Sequence, residues 1–104
     1  MIADAYQAIP AVRAIICPVN TRLTPPEIAY ILQHSRAKLV LVDSEYAHLV
    51  KDAGIPIVLS NDTGRPGDPY EEFLSRGRRF SRERGWWGLE PEAEEDAGCA
   101  LCYT

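Results

Sequence analysis

The chain has no apolar run approaching the roughly 20 residues that a membrane span requires, so no membrane-spanning segment is expected. It has no basic n-region and no clean apolar h-region at its start, where Asp4, Pro10 and Arg13 interrupt the pattern. No signal peptide is expected on that ground. Cysteine is scarce: Cys17, Cys99 and Cys102 are the whole supply in 104 residues. With no secretory signal, such usage points to free thiols in a reducing, cytoplasmic setting. Histidine is limited to His34 and His48. A zinc site takes about four ligands, and none of these groups is paired at ligand spacing. The sequence has no Gly-rich phosphate loop, no H-E-x-x-H and no G-x-S-x-G. On its own residues it therefore holds no complete active site, and no catalytic or metal-binding residue is assigned. Internal repeats and low-complexity tracts are also missing.

What is present reads as an ordinary globular composition, 46% hydrophobic and 25% charged. The length fits one small domain or a piece of a larger one. Net charge is −4 and unevenly placed. Residues 1–60 carry five basic and five acidic side chains, and residues 61–104 carry six and ten. An acidic balance gives no general reason to expect a nucleic-acid partner.

Apolar patterning gives the order of elements. Residues 3–13 read as a short helix that Pro10 makes hard to continue. AIICPV (14–19) is a continuous apolar run and reads as a buried strand ended by Pro18. Thr24 and Glu27 have capping-box spacing, with Pro25 at the first helical position. Ile28, Ile31, Leu32 and Ser35 then predict a helix over 25–35. KLVLVD (38–43) and IPIVLS (55–60) read as two further buried strands. Between them Tyr46, Leu49, Val50 and Ala53 make a helical stripe stopped by Gly54. This β-α-β-α-β order, with continuous apolar strands, predicts an α/β fold with a parallel sheet covered on both faces. Residues 61–69 read as loop, and 69–77 as a short amphipathic helix with Tyr70, Phe73 and Leu74 inward. Residues 78–98 show no convincing period, and GCALCYT (98–104) reads as a last strand.

Three groups invite a functional reading. Cys99-Ala-Leu-Cys102 is formally C-x-x-C, but no helix follows it to lower a thiol pKa. In an extended strand, residues three apart face opposite ways. Buried small residues in a strand are the plainer reading. Arg76, Arg78, Arg79, Arg82 and Arg84 make a basic cluster, with Phe80 and Trp86-Trp87 as candidate stacking partners for a phosphate or nucleic acid. Glu90, Glu92, Glu94, Glu95 and Asp96 follow and neutralise the field, so a solvated surface loop is expected. Trp86-Trp87 reads as an anchor for that loop. His34, at a helix C-terminus, and His48 read as structural.

Residues 14–46, AIICPVNTRLTPPEIAYILQHSRAKLVLVDSEY, resemble a segment of the adenylate-forming acyl-CoA synthetases (the AMP-dependent synthetase/ligase, or AMP-binding, family). The likeness rests on Asn20-Thr21-Arg22-Leu23, on Pro26, Glu27, Ile28, Ile31, Leu32, His34 and Ser35, and on Ala37, Lys38, Leu39 and Val42-Asp43. Tyr70-Glu71-Glu72-Phe73-Leu74 resembles a short helix of the same family. The resemblance covers about residues 3–104 and is loosest over 78–97. It implies that residues 1–104 are part of a large N-terminal domain, with 61–97 a loop-rich charged part holding a short helix near 70–76.

In the family, L-x-Y-T runs into S-G-T-T-G-x-P-K-G, a loop whose backbone N–H groups cradle ATP phosphates. Leu101-Cys102-Tyr103-Thr104 matches that approach, and Thr104 matches the first loop residue. The resemblance thus implies that Thr104 is the one cofactor-binding residue of this chain. The parent chemistry it implies uses ATP, Mg²⁺, CoA and a carboxylic acid; the fragment itself is expected to bind none of them and to be inactive alone. The resemblance also implies that the family's C-terminal domain, with its catalytic lysine, is not part of these 104 residues. A full-length parent could be peroxisomal. Two other readings stay open: a stand-alone α/β module that binds a partner, and a thiol-redox or metal module built on Cys99 and Cys102. Exposed sheet edges are expected to drive self-association of the isolated chain.

Overall fold

The computed structural model describes residues 1–85, 90 and 92–104. Its elements are α1 (Ile2–Ala11), α2 (Pro25–His34), β1 (Val40–Asp43), a 3₁₀ helix (Ser44–Leu49), β2 (Ile57–Ser60) and α3 (Pro69–Arg84). Among the described residues no helix is long and apolar enough to cross a membrane.

The α/β class stands. β1 and β2 pair in parallel, with Val40 opposite Ile57 and Asp43 opposite Ser60. A parallel pair needs a connection of a dozen or more residues, and residues 44–56 supply it. Side chains alternate across a strand. Val40, Val42 and Ile57 accordingly pack with Ile28, Leu32 and Val50 beneath α2. Val58 and Ser60 belong to the opposite face and are buried there, where α3 packs against β2.

α2 forms as its sequence dictates. Glu27 accepts hydrogen bonds from the Thr24 N–H (2.8 Å) and hydroxyl (2.7 Å). These two bonds hold the Glu27 carboxyl below its ordinary range, the hydroxyl being the larger influence. The far end closes without glycine. The Ala37 N–H bonds Leu32 O at 3.0 Å and the Arg36 N–H bonds Gln33 O at 3.1 Å, the two bonds of a Schellman stop. Arg36 therefore takes the left-handed position, at φ 55°. α1 ends the same way, with Arg13 at φ 60°. Pro10 falls in its last turn, and the helix stops one residue later.

Four expectations are corrected. Residues 14–19 are not a buried strand: Ile15 is 58% exposed, and only Ile16 pairs, in a parallel bridge with Ala100. Pro18 explains the brevity. The Ile16 N–H bonds Cys99 O (3.0 Å) and the Leu101 N–H bonds Ile16 O (2.8 Å). The next rung needs an N–H from residue 18, which proline lacks. The final strand, 98–104, shrinks to the same bridge for the same reason.

The stretch from 44 to 53 is a 3₁₀ helix followed by turns, not an α-helix. Apolar residues three apart, at 46 and 49 and again at 50 and 53, fit a three-residue turn equally well. Asp43 caps it by accepting from the Glu45 N–H at 2.9 Å. Finally, α3 runs on to Arg84 instead of stopping near 76–77. Residues 75–84 are exposed on every side, so no apolar period marks them. The five arginines lie on this helix and not on a loop. An Arg79–Glu83 pair at 3.4 Å supports it, and Gly85, at φ 58°, ends it. The reading of Trp86-Trp87 as a loop anchor lies outside the described residues.

Candidate functional site

The site singled out by sequence is the strand end at Thr104. Residues 99–101 are fixed to residue 16 by the two backbone bonds of the Ile16–Ala100 bridge. Ile16 itself is buried at 9% exposure. Among the described residues, no backbone hydrogen bond reaches residues 102–104. A side chain takes over at that point. The Tyr103 hydroxyl lies 2.7 Å from Nδ1 of His34, the last residue of α2. The hydroxyl donates to a bare Nδ1, or an Nδ1–H donates to the hydroxyl oxygen.

The His34 ring is held from two sides. Tyr30, one turn earlier, stacks on it at 5.5 Å and 17°, the i,i+4 geometry of a helix face. Tyr103 meets it edge-on at 5.8 Å and 80°. Burial raises the Tyr103 hydroxyl above its ordinary pKa, and the nearby Cys17 and Tyr30 add to this, so it stays protonated at neutral pH. Thr104 follows directly and is exposed.

The thiols form no built site. Cys99 and Cys102 are free and exposed, and Cys17 is half-buried. Burial pushes the Cys17 thiol up, with a smaller push from Cys102, which is the opposite of an activated thiolate. Among the described residues no group of three His, Cys, Asp or Glu side chains could hold a metal ion. His48 is structural, its Nδ1–H donating to Glu45 O at 3.1 Å. A cleft of about 240 Å³ between α2 and the 3₁₀ helix is lined by Pro25, Pro26, Ala29, Leu32, Leu49 and Asp52 among others; its lining includes none of residues 99–104.

Sequence reading missed one contact and one residue. Tyr103 and His34 are 69 positions apart, and no local signal links them. Asp68 did carry a signal, standing before Pro69 as an N-cap stands before a helix. It is 5% exposed. Its carboxylate accepts from the N–H groups of Asn61, Thr63 and Tyr70 and from the Thr63 hydroxyl, at 3.0–3.2 Å. Burial pushes this carboxyl up, but the hydrogen bonds together outweigh it and leave it below the usual range. Asp68 thus folds the 61–68 loop and starts α3 with one side chain.

The acidic stretch does not neutralise the arginines of α3 by direct ion pairing among the described residues. Glu90 and Glu92 pair instead with Arg13, at 3.6 and 3.2 Å.

This is an α/β segment whose last residues, past the Ile16–Ala100 bridge, set Tyr103 against the C-terminal end of α2. The profile of the family described as AMP-binding enzyme matches residues 3–104. The peroxisomal acetate/butyrate–CoA ligase of Arabidopsis thaliana is 29% identical over 125 residues, which cover 97% of this chain and 21% of that ligase. The peroxisomal butyrate–CoA ligase of the same plant is 40% identical over 92 residues, covering 88% of this chain and 16% of that ligase. The peroxisomal trans-cinnamate:CoA ligase of Petunia hybrida is 48% identical over 50 residues, covering 48% of this chain and 9% of that ligase. The chain belongs to the AMP-binding enzyme family. It spans about a fifth or less of the length of these relatives.

Proposed function

We propose that residues 1–104 serve as part of the large N-terminal domain of an ATP-dependent acyl-CoA ligase, with Thr104 opening the loop that takes the ATP phosphates. The observation that carries this is the family match over residues 3–104, which runs through the strand end at Leu101–Thr104. The whole ligase joins a carboxylic acid to CoA in two steps. The carboxylate oxygen attacks the α-phosphorus of ATP, giving an acyl-adenylate and releasing pyrophosphate. The CoA sulfur then attacks the acyl carbon, and AMP leaves as the thioester forms.

By itself the chain performs neither step. Thr104 offers one hydroxyl and one N–H where a phosphate nest needs several successive N–H groups. The described residues hold no set of ligands for Mg²⁺, so no step is assigned to that ion here. The packing supports the same reading. A Cα radius of gyration of 14.7 Å exceeds the ~13 Å of a self-contained domain of this length. Ile2, Tyr6, Val12 and Ile15 are each more than half exposed. The outer edges of the β1–β2 pair are open among the described residues, and open edges invite pairing with other chains. The isolated chain is therefore expected to self-associate. The free thiols are in keeping with the reducing, cytoplasmic setting proposed here, and peroxisomal residence of the whole ligase is the alternative that the plant relatives' names suggest.

The test is a graft. Residues 3–104 replace the matching segment of the Arabidopsis butyrate–CoA ligase, and butyryl-CoA formation is measured beside ATP–pyrophosphate exchange by the 104-residue chain. An active graft and a silent chain support the proposal. A folded but dead graft, or exchange by the chain alone, overturns it.

A further inference from the structure

We infer that His34 is a positioning residue for Thr104, acting through the hydroxyl of Tyr103; the inference rests on the phosphate-binding role proposed for Thr104. The reasoning starts from Pro18. In a parallel pair the rung after the Ile16–Ala100 bridge would run from the N–H of residue 18 to Leu101 O. Proline has no N–H to give, so the ladder ends at Leu101. Residues 102–104 have no backbone hydrogen bond among the described residues. A strand released this early would fray, since unpaired terminal backbone opens at little cost.

The His34–Tyr103 contact, at 2.7 Å, supplies the missing restraint one residue before Thr104. Its other end is firm. His34 closes α2, which is seated through Ile28, Ile31 and Leu32, at 3%, 7% and 8% exposure. Tyr30 stacks on the imidazole and limits its rotation. The path from core to candidate site is thus short: buried α2, His34, Tyr103, Thr104. Neither His34 nor Tyr103 needs to touch a substrate. Their work is to set where the hydroxyl and N–H of Thr104 stand.

Two experiments test this. In the active graft, Tyr103→Phe and His34→Ala are expected to raise KM for ATP about tenfold, because small displacements of a binding group cost one to two orders of magnitude. KM for butyrate is expected to stay within about twofold, and the melting temperature to hold, since the lost contact lies outside the core. His34→Asn places an amide near the Nδ1 position and is expected to recover most of the ATP effect. Equal changes in both KM values that track a lowered melting temperature would mark a merely structural role and overturn the inference. So would an unchanged KM for ATP.

The second experiment follows amide exchange in the graft. Tyr103→Phe is expected to speed amide exchange at Leu101 several-fold, the scale of one modest hydrogen bond, while Leu32 stays protected. A wild-type rate at Leu101 overturns the tie. A dead graft with accelerated exchange counts against the proposed function, whereas a live graft indifferent to Tyr103→Phe counts against the inference.

Discussion

Ile28 is the side chain on which the fold most directly depends. It is 3% exposed and packs with Leu32 and Val50, ringed by Val19, Leu23, Val40, Val42 and Ile57. Ile28→Val removes one buried carbon and is expected to cost about 1 kcal/mol. Ile28→Ala removes three, which is roughly 2.4 kcal/mol of transfer free energy at ~0.8 per carbon. The cavity left behind raises this to about 3–4 kcal/mol, because strands β1 and β2 cannot follow the receding side chain. For a chain of this size that corresponds to a fall in melting temperature of roughly 15 °C or more. The exposed neighbour Gln33 provides a control, since Gln33→Ala is expected to stay within about 0.5 kcal/mol. Urea unfolding of the chain, at a dilution low enough to suppress self-association and followed by far-ultraviolet circular dichroism, reads these differences at constant slope. A loss below about 1 kcal/mol for Ile28→Ala, or equal losses for Val and Ala, would show that this cluster is not the core.

Other outcomes follow from single side chains. Asp68 is below its ordinary value in the folded chain. Its stabilisation is therefore complete above the unfolded carboxyl pKa, near 3.8, and is lost as pH falls through the lower folded value. Asp68→Asn should flatten that acid limb in a pH series of urea midpoints, and a wild-type limb would refute the assignment. Tyr70 is pushed up to about 12, first by burial and then by its hydrogen bond to Asp4. Its contribution to stability is present below the unfolded value of 10.0 and fades as pH rises through about 12. Ultraviolet difference titration should show one late-ionising tyrosine that disappears in Tyr70→Phe. Arg36→Gly is expected to stabilise by about 0.5–1 kcal/mol, since glycine takes the left-handed stop without the steric cost that arginine bears; a lower urea midpoint would count against the Schellman assignment. Replacing Cys99 and Cys102 together by serine should leave the melting temperature and any metal uptake unchanged. Zinc binding lost with that double change would revive the thiol module.

Much of this fold is legible where burial imprints a period. Val40–Asp43 and Ile57–Ser60 are apolar runs between turn signals, and they pair in parallel as such runs tend to. Thr24, Pro25 and Glu27 announce α2 because a helix start must satisfy its own N–H groups. Legibility fails where burial is missing or one-sided. The second half of α3 is solvated all round, so nothing in its hydrophobicity records a helix. The 3₁₀ turn hides because spacings of three serve two periods. The stops at Arg13 and Arg36 carry none of the glycine that usually marks them. Thr104 could be placed at a strand end through its resemblance to a family, but His34 and Tyr103 could be joined only in three dimensions.

Pro18 ties these threads together. The same residue that ends the apolar run in sequence removes one donor from the ladder, and that loss falls just before the candidate site. With a donor at residue 18 the ladder would extend past the Ile16–Ala100 bridge, and less would rest on the side chain at 103. With the rung missing, the restraint on Thr104 passes to a hydroxyl–imidazole contact that one substitution can remove. Among the described residues, the backbone N–H groups of residues 102–104 also have no backbone partner. Uncommitted N–H groups are what an anion-binding loop must present, so a strand that stops pairing early suits the approach to one.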